Sequence, residues 1–228
     1  MTQADGIETG PLWVNRLKGL LPSLHEVLGE NSEVVLHDLT HPEDSVVAIE
    51  GDLTHRKVGA PATDLLLYLL REGASAKDVV NYETRTAEGV VLRSSTLLLR
   101  DERHLPVASL CINIDTGIRS NSQGERSQGS DGERVEPEEG LMREVFSQDV
   151  GETMQALVES ALRAVGASPY GLGKEQRLEV VRILDERGAF MVRGAVDYVA
   201  EQLEISRATL YNYRKALEEG DLSSTGKR

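Results

Sequence analysis

The chain of 228 residues is short of cysteine: Cys111 is the only one, which excludes an internal disulfide framework and any multi-cysteine zinc site. It lacks an apolar run of about 18 residues, the length a membrane-spanning helix needs. Residues 1–10 are polar and acidic rather than basic and then apolar, so a secretory signal is not expected and the natural compartment is the cytoplasm. No Gly-rich phosphate loop, Gly-x-Ser-x-Gly elbow or zinc-protease His pair occurs, which argues against the common enzyme classes and leaves no cofactor fingerprint. Positive charge is also scarce: 25 Lys and Arg stand against 38 Asp and Glu, a net charge of −13.

That deficit is uneven. From residue 174 to the end there are ten basic and ten acidic side chains, so all the excess negative charge lies in residues 1–173. Within the balanced region residues 196–213 read as two short helices joined by a tight turn. Val196, Val199, Ala200 and Leu203 form an apolar stripe at i, i+3, i+4, i+7. Ile205 plugs the corner, Ser206 is an N-cap for the second helix, and Leu210 and Tyr213 face inward. The outward positions are Arg207, Ala208, Thr209, Tyr211, Asn212 and Lys215, and with Ser206 and Arg214 they are the expected DNA contacts. Arg and Asn read guanine and adenine edges bidentately, and Thr or Ala can meet a thymine methyl. This is the layout of a helix-turn-helix for double-stranded DNA. A two-helix corner of an ordinary helical domain is the plainer alternative. Glu204 stands where such a turn favours glycine, because the backbone there is left-handed. A single module on so acidic a chain would hold phosphates weakly, so two copies are expected to act as a homodimer.

Taken in order, the chain opens with a helical stripe, Trp13, Leu17, Leu20, Leu21, Leu24, Val27 and Leu28, which Pro22 kinks or restarts and Gly29 ends. Residues 33–39 and 45–49 read as strands. Gly59-Ala60-Pro61 opens a helix through residues 64–70, with Gly73 past its end. Residues 79–84 are a third strand, and residues 90–99 and 105–115 form a hairpin. Strands and helices segregated in this way argue an α+β class with an antiparallel sheet and flanking helices, followed by an all-α region. Residues 119–140 are rich in Ser, Gly, Gln and Glu and read as a flexible linker. An amphipathic helix is expected over residues 141–165, covering its own domain or pairing with its twin. Another, over residues 174–187 with Leu178, Val181 and Leu184 inward and Gly188 closing it, supports the helix-turn-helix. Residues 223–228 read as a tail.

With its turn centred between Glu102 and Arg103, the hairpin pairs Thr96 with Ser109, Ser94 with Cys111 and Leu92 with Asn113. One face then carries Val91, Leu97, Leu99, Ala108, Leu110, Ile112 and Ile114. The other offers Ser94, Thr96, Ser109, Cys111 and Asn113, either as a pocket floor for a small ligand or as a wet surface.

Both halves resemble one family, the YheO-like PAS regulators. The motifs that carry the likeness are EVVLHDL at 33–39, HRKVG at 55–59, NY at 81–82, Gly89, LRSST at 92–96 and LCINID at 110–115. In the C-terminal half they are GAF at 188–190, GAV at 194–196, VA at 199–200 and ISRATLY at 205–211. The resemblance implies a PAS-like sensor over residues 13–118, a helix-turn-helix over residues 174–217 and a connecting helix over residues 141–166, in a ligand-responsive and dimeric transcriptional regulator. Three departures accompany it: a long insert at 119–140, Glu50-Gly51 in place of an Asn-Gly turn, and Glu204 in place of Gly.

On this resemblance His37, Asp38, His55 and Arg56 border the PAS cavity, where Arg56 either meets a ligand carboxylate or makes a surface salt bridge. His37 and His41 sit on a strand and its turn, which is poor geometry for a metal. Cys111 is either a small buried hydrophobe or a redox sensor. The rival readings are a signalling adaptor whose C-terminal helices bind protein, or a small-molecule enzyme using His37, Asp38 and Cys111. The effector, operator and sign of regulation are not written in the sequence.

Overall fold

The computed structural model describes residues 12–119, 144–168 and 171–225. The first stripe is two helices, α1 (Leu12–Lys18) and α2 (Leu21–Leu28). Pro22 falls in the first turn of α2, where its missing N–H breaks no helical bond, so it restarts the helix rather than kinking it. The Trp13 side chain lies outside the described residues.

Five strands follow: β1 (Ser32–Asp38), β2 (Val46–Glu50), β3 (Val79–Arg85), β4 (Val90–Arg100) and β5 (Pro106–Arg119). They form one antiparallel sheet in the order β2-β1-β5-β4-β3. On β1 the two-residue alternation sends Val34 and Leu36 to an outer face, where they pack with Val14 and Leu21 of α1 and α2. Glu33, Val35 and His37 take the inner face opposite Asn113, Cys111 and Ser109 of β5.

The hairpin register differs from the sequence expectation by two residues. Thr96 pairs with Cys111, Ser94 with Asn113 and Leu98 with Ser109. Asp101 is the cause. Its carboxylate accepts the N–H groups of Arg103 and Leu105 at 2.9 and 2.8 Å, and its backbone pairs with Leu105 and His104. The loop is therefore pulled one residue toward the C-terminus, with His104 at φ +63°. A two-residue slip preserves faces, so Ser94, Thr96, Ser109, Cys111 and Asn113 still share one side. That side is the covered one: all five are buried, whereas Leu97, Leu99, Leu110, Ile112 and Ile114 of the other face are half-exposed.

The covering element is α3 (Asp64–Glu72). It is capped by Thr63, whose hydroxyl accepts the Leu66 N–H. Gly59-Ala60-Pro61 does not open it, because Gly59 and Ala60 leave a turn and bond to Val46 instead. Four of its leucines, Leu65, Leu66, Leu67 and Leu69, are buried. A helix apolar nearly all round is one packed on two sides. Here the sheet lies on one side and the C-terminal helices on the other, and a single apolar core runs through all three.

Residues 120–143 lie outside the described residues, and with them nearly all of the expected linker. The helix expected from residue 141 starts later: α4 is Val150–Val165. Asp149, in extended conformation, accepts the Glu152 N–H at 3.0 Å and fixes the start, while Gly166 closes the end in the left-handed region. The apolar stripe of α4 is covered within its own chain: Met154, Leu157, Val158, Ala161 and Leu162 belong to the shared core. The remaining helices are α5 (Lys174–Glu186), α6 (Ala195–Gln202) and α7 (Arg207–Thr225). The tail expected from residue 223 is helical as far as Thr225, and residues 226–228 lie outside the described residues.

After α5 the chain turns at Gly188, φ +73°. A Cβ there would stand 2.1 Å from the Leu67 carbonyl oxygen. Glycine is therefore needed for the close approach of the chain after α5 to the backbone of α3, as well as for ending a helix.

Candidate functional site

Helices α6 and α7 meet through Val199, Ala200, Leu203 and Leu210, all buried, with Ile205 packed at the corner. The turn between them places Glu204 at φ +51°. Ser206 caps α7, accepting the Thr209 N–H at 3.1 Å. Along the first turns of α7, Ser206, Arg207, Ala208, Tyr211, Asn212 and Lys215 are exposed and Thr209 is half-buried. Arg207 reaches Asp197 of α6 at 3.0 Å; both are well exposed, so the pair is worth about 0–1 kcal/mol and yields readily to a better anion.

Arg214 is placed otherwise. Its Nε donates to Asp185 of α5 at 2.9 Å, and its guanidinium lies over the Phe190 ring, 4.5 Å from the centroid. Asp185 also receives Arg71 of α3 at 3.3 Å. Arg214 thus holds α7 to its support instead of standing on the open face. Lys227 and Arg228, the basic side chains after α7, lie outside the described residues.

The second arrangement is inside the sheet half. Glu33 is fully buried. It accepts Thr54 N–H at 2.8 Å, the Thr54 hydroxyl at 2.8 Å and Asn113 Nδ2 at 3.0 Å. Ser94 donates to Asn113 at 2.8 Å and meets Thr84 at 2.6 Å. Tyr82 donates to Glu144 at 2.9 Å and lies 2.9 Å from the Thr96 hydroxyl, which adjoins Cys111. Burial pushes the Glu144 carboxyl up to about 7, with Asp64 repulsion adding to it and Thr63, Tyr82 and Arg56 opposing it. Burial likewise pushes Asp64 up to about 6 and the Cys111 thiol up to about 11, the latter against thiolate chemistry. His37 bonds Ser45 at 2.8 Å through Nδ1; burial, then the Arg56 charge, hold its pKa well below the usual value.

Of the residues expected to line a cavity, the sheet gathers His37, Arg56, Ser94, Thr96, Ser109, Cys111 and Asn113 in the interior. It leaves out Asp38 and His55. Asp38 falls on the opposite face of β1 and accepts the Thr40 N–H and hydroxyl at 3.0 and 2.6 Å. His55 is exposed beside Asp52 at 3.1 Å, which raises its pKa. Arg56 is 5% exposed, so the surface salt bridge falls away; it donates to the Pro61 carbonyl. Sequence reasoning missed Glu33, Thr54, Tyr82, Thr84, Glu144 and Ser147. Alternation along residues 33–37 and 82–84 marks the strand members, but nothing local marks Thr54 or Glu144. His41 is exposed, and among the described residues no group of three or more His, Cys, Asp or Glu is placed to hold a metal. No helix among them is long and apolar enough to cross a membrane.

A five-stranded antiparallel sheet with helices, joined to a helix-turn-helix, is the build of a DNA-binding transcriptional regulator with a PAS-like domain. The chain belongs to the family of the YheO-like PAS domain, whose model matches residues 9–123, and a helix-turn-helix domain model matches residues 153–214. It is 30% identical over 191 residues to the transcriptional regulator DauR of Pseudomonas aeruginosa, covering 83% of this chain and 87% of that protein. It is 27% identical over 213 residues to the uncharacterized protein YheO of Escherichia coli, covering 92% and 87%. An uncharacterized protein of Haemophilus influenzae is 28% identical over 207 residues, covering 90% and 91%.

Proposed function

We propose that this regulator binds its operator as a homodimer and responds to a small molecule seated against the inner face of its sheet. Two α7 helices present Ser206, Arg207, Ala208, Thr209, Tyr211, Asn212 and Lys215 to half-sites about 34 Å apart. Residues 174–217 act as the reading unit and residues 13–118 as the sensor, in the cytoplasm. The observation that carries the reading is the exposure of Arg207 and Asn212 on the same helix that buries Leu210. The dimer is supported by charge. With Arg214 tied to Asp185, each α7 offers Arg207 and Lys215 as its cations for phosphate or base, on a chain of net charge −13. The sensor is supported by the hydroxyls, imidazole and guanidinium gathered in an interior where apolar side chains would pack at lower cost.

Gel-shift titration on the protein's own upstream DNA tests the reading face. An Arg207→Ala, Asn212→Ala double variant is expected to lose specific binding, and retention of wild-type affinity would overturn the assignment. Native mass measurement of the shifted complex is expected to give two chains per site; one chain per site would remove the dimer.

A further inference from the structure

Among the described residues three buried polar atoms meet no protein partner: Arg56 Nε, His37 Nε2 and Ser147 Oγ. Buried donors and acceptors are nearly always satisfied, so the orphans on Arg56 and His37 point to an occupant beside them. Arg56 and His37 are near enough for the guanidinium charge to depress the imidazole's pKa. Arg56 is also the only cationic side chain buried among the described residues. Glu33, hydrogen-bonded to Thr54 and Asn113, also acts on its charge. Glu144 draws on it electrostatically.

Ser147 and Glu144 belong to one irregular segment, residues 144–149. Glu144 is seated on Tyr82 of β3, the Val145 N–H donates to Asp64 of α3 at 3.0 Å, and Asp149 caps α4. The segment is thus a strap from the sensor interior to the first turn of α4, which packs on α5 and α6.

We propose that the buried site receives the carboxylate of a small organic acid on Arg56 and His37, and that this anion unseats Glu144, loosening residues 144–149 and with them the start of α4. The inference rests on the sensor reading above and names its ligand class and its route. An arriving anion uses the cation that steadies Glu144 and adds a like charge, and two buried carboxylates so placed do not both stay ionised. Glu144 then takes a proton and stays, or keeps its charge and leaves. The groups around it are Asp64, Arg56, Tyr82, Thr63 and Cys111. Leaving gains on staying as pH rises, because staying needs a proton.

The test uses the full chain at about pH 8, with sodium acetate, pyruvate and succinate against sodium chloride at equal ionic strength, and methylammonium chloride and glycerol as cationic and neutral probes. Thermal midpoint and hydrogen exchange of the peptide spanning 144–149 are read together. At least one carboxylate is expected to raise the midpoint by several degrees and to speed exchange in the strap about threefold or more. Glu144→Gln is expected to bind that carboxylate about tenfold more tightly and to show no faster exchange on binding. Arg56→Gln, where it folds, abolishes the shift. If methylammonium or glycerol shifts the midpoint and no carboxylate does, sensing stands and this inference falls. It falls also if no carboxylate exceeds chloride, or if wild type and Glu144→Gln bind alike. Gel shifts run in parallel report the reading face independently of either result.

Discussion

Glu204 occupies the turn between α6 and α7 at φ +51°, with its side chain exposed. A Cβ in that region costs about 1–2 kcal/mol, and no described contact repays it. Glu204→Gly is therefore expected to raise stability by about 0.5–1 kcal/mol in urea unfolding, the relief being partly offset by the freer unfolded chain. Gly188 is the converse. Gly188→Ala keeps the left-handed φ and adds a Cβ at 2.1 Å from a backbone oxygen that has no flexible end to move. A loss of about 3 kcal/mol or more is expected by the same measurement, and a variant within about 0.5 kcal/mol of wild type would contradict the backbone contact. Both residues were singled out by their position in the sequence. The need for glycine at 188 was legible only as a helix stop, because Leu67 lies 121 residues earlier.

At the scale of elements, what could be read was what is local. The α6–turn–α7 pattern is contained in 18 consecutive residues, and its stripe, corner and cap all appear where the spacing put them. The polar face of the hairpin was also legible, since alternation survives an even slip of register. Its burial was not, because no local pattern tells a covered polar face from a wet one. The start of α4 was misplaced although Asp149 and Glu152 carry a capping signature, because the apolar residues before them continued the helical stripe. Arg214 is placed otherwise than its spacing suggests, for a related reason. Helical spacing sets it beside the exposed residues, while Asp185 and Phe190, from a different element, draw it back. Asp185 therefore joins α3, α5 and α7 through Arg71 and Arg214. Asp185→Asn is expected to cost about 1 kcal/mol and to weaken DNA binding several-fold without touching DNA. Unchanged affinity would show that α7 is seated by its apolar contacts alone.

For the molecule as a whole, the buried acids set a pH dependence. Glu144 and Asp64 have pKa values raised by burial to about 7 and about 6. The native state thus holds protons that the unfolded chain has released. The stability they contribute is complete below their unfolded values, and it is lost as pH rises through about 6 to 7. His37 acts in the opposite sense: its lowered pKa gives stability that is present above its ordinary 6.5 and lost as pH falls below it. A double variant, Asp64→Asn with Glu144→Gln, is expected to flatten the decline in urea midpoint between about pH 5.5 and 8, leaving the acid-side loss due to His37. An equal decline in wild type and variant would place the titration elsewhere.

The leucines of α3 face two ways, toward the strands and toward the helices that carry the reading unit. Such a helix is common property. Any scissors that part the halves leave greasy surface on both fragments, so chimaeras exchanging one half between relatives should inherit matching partners for Leu67 and Gly188 or else precipitate. Evolution has to revise the two halves of this chain in step.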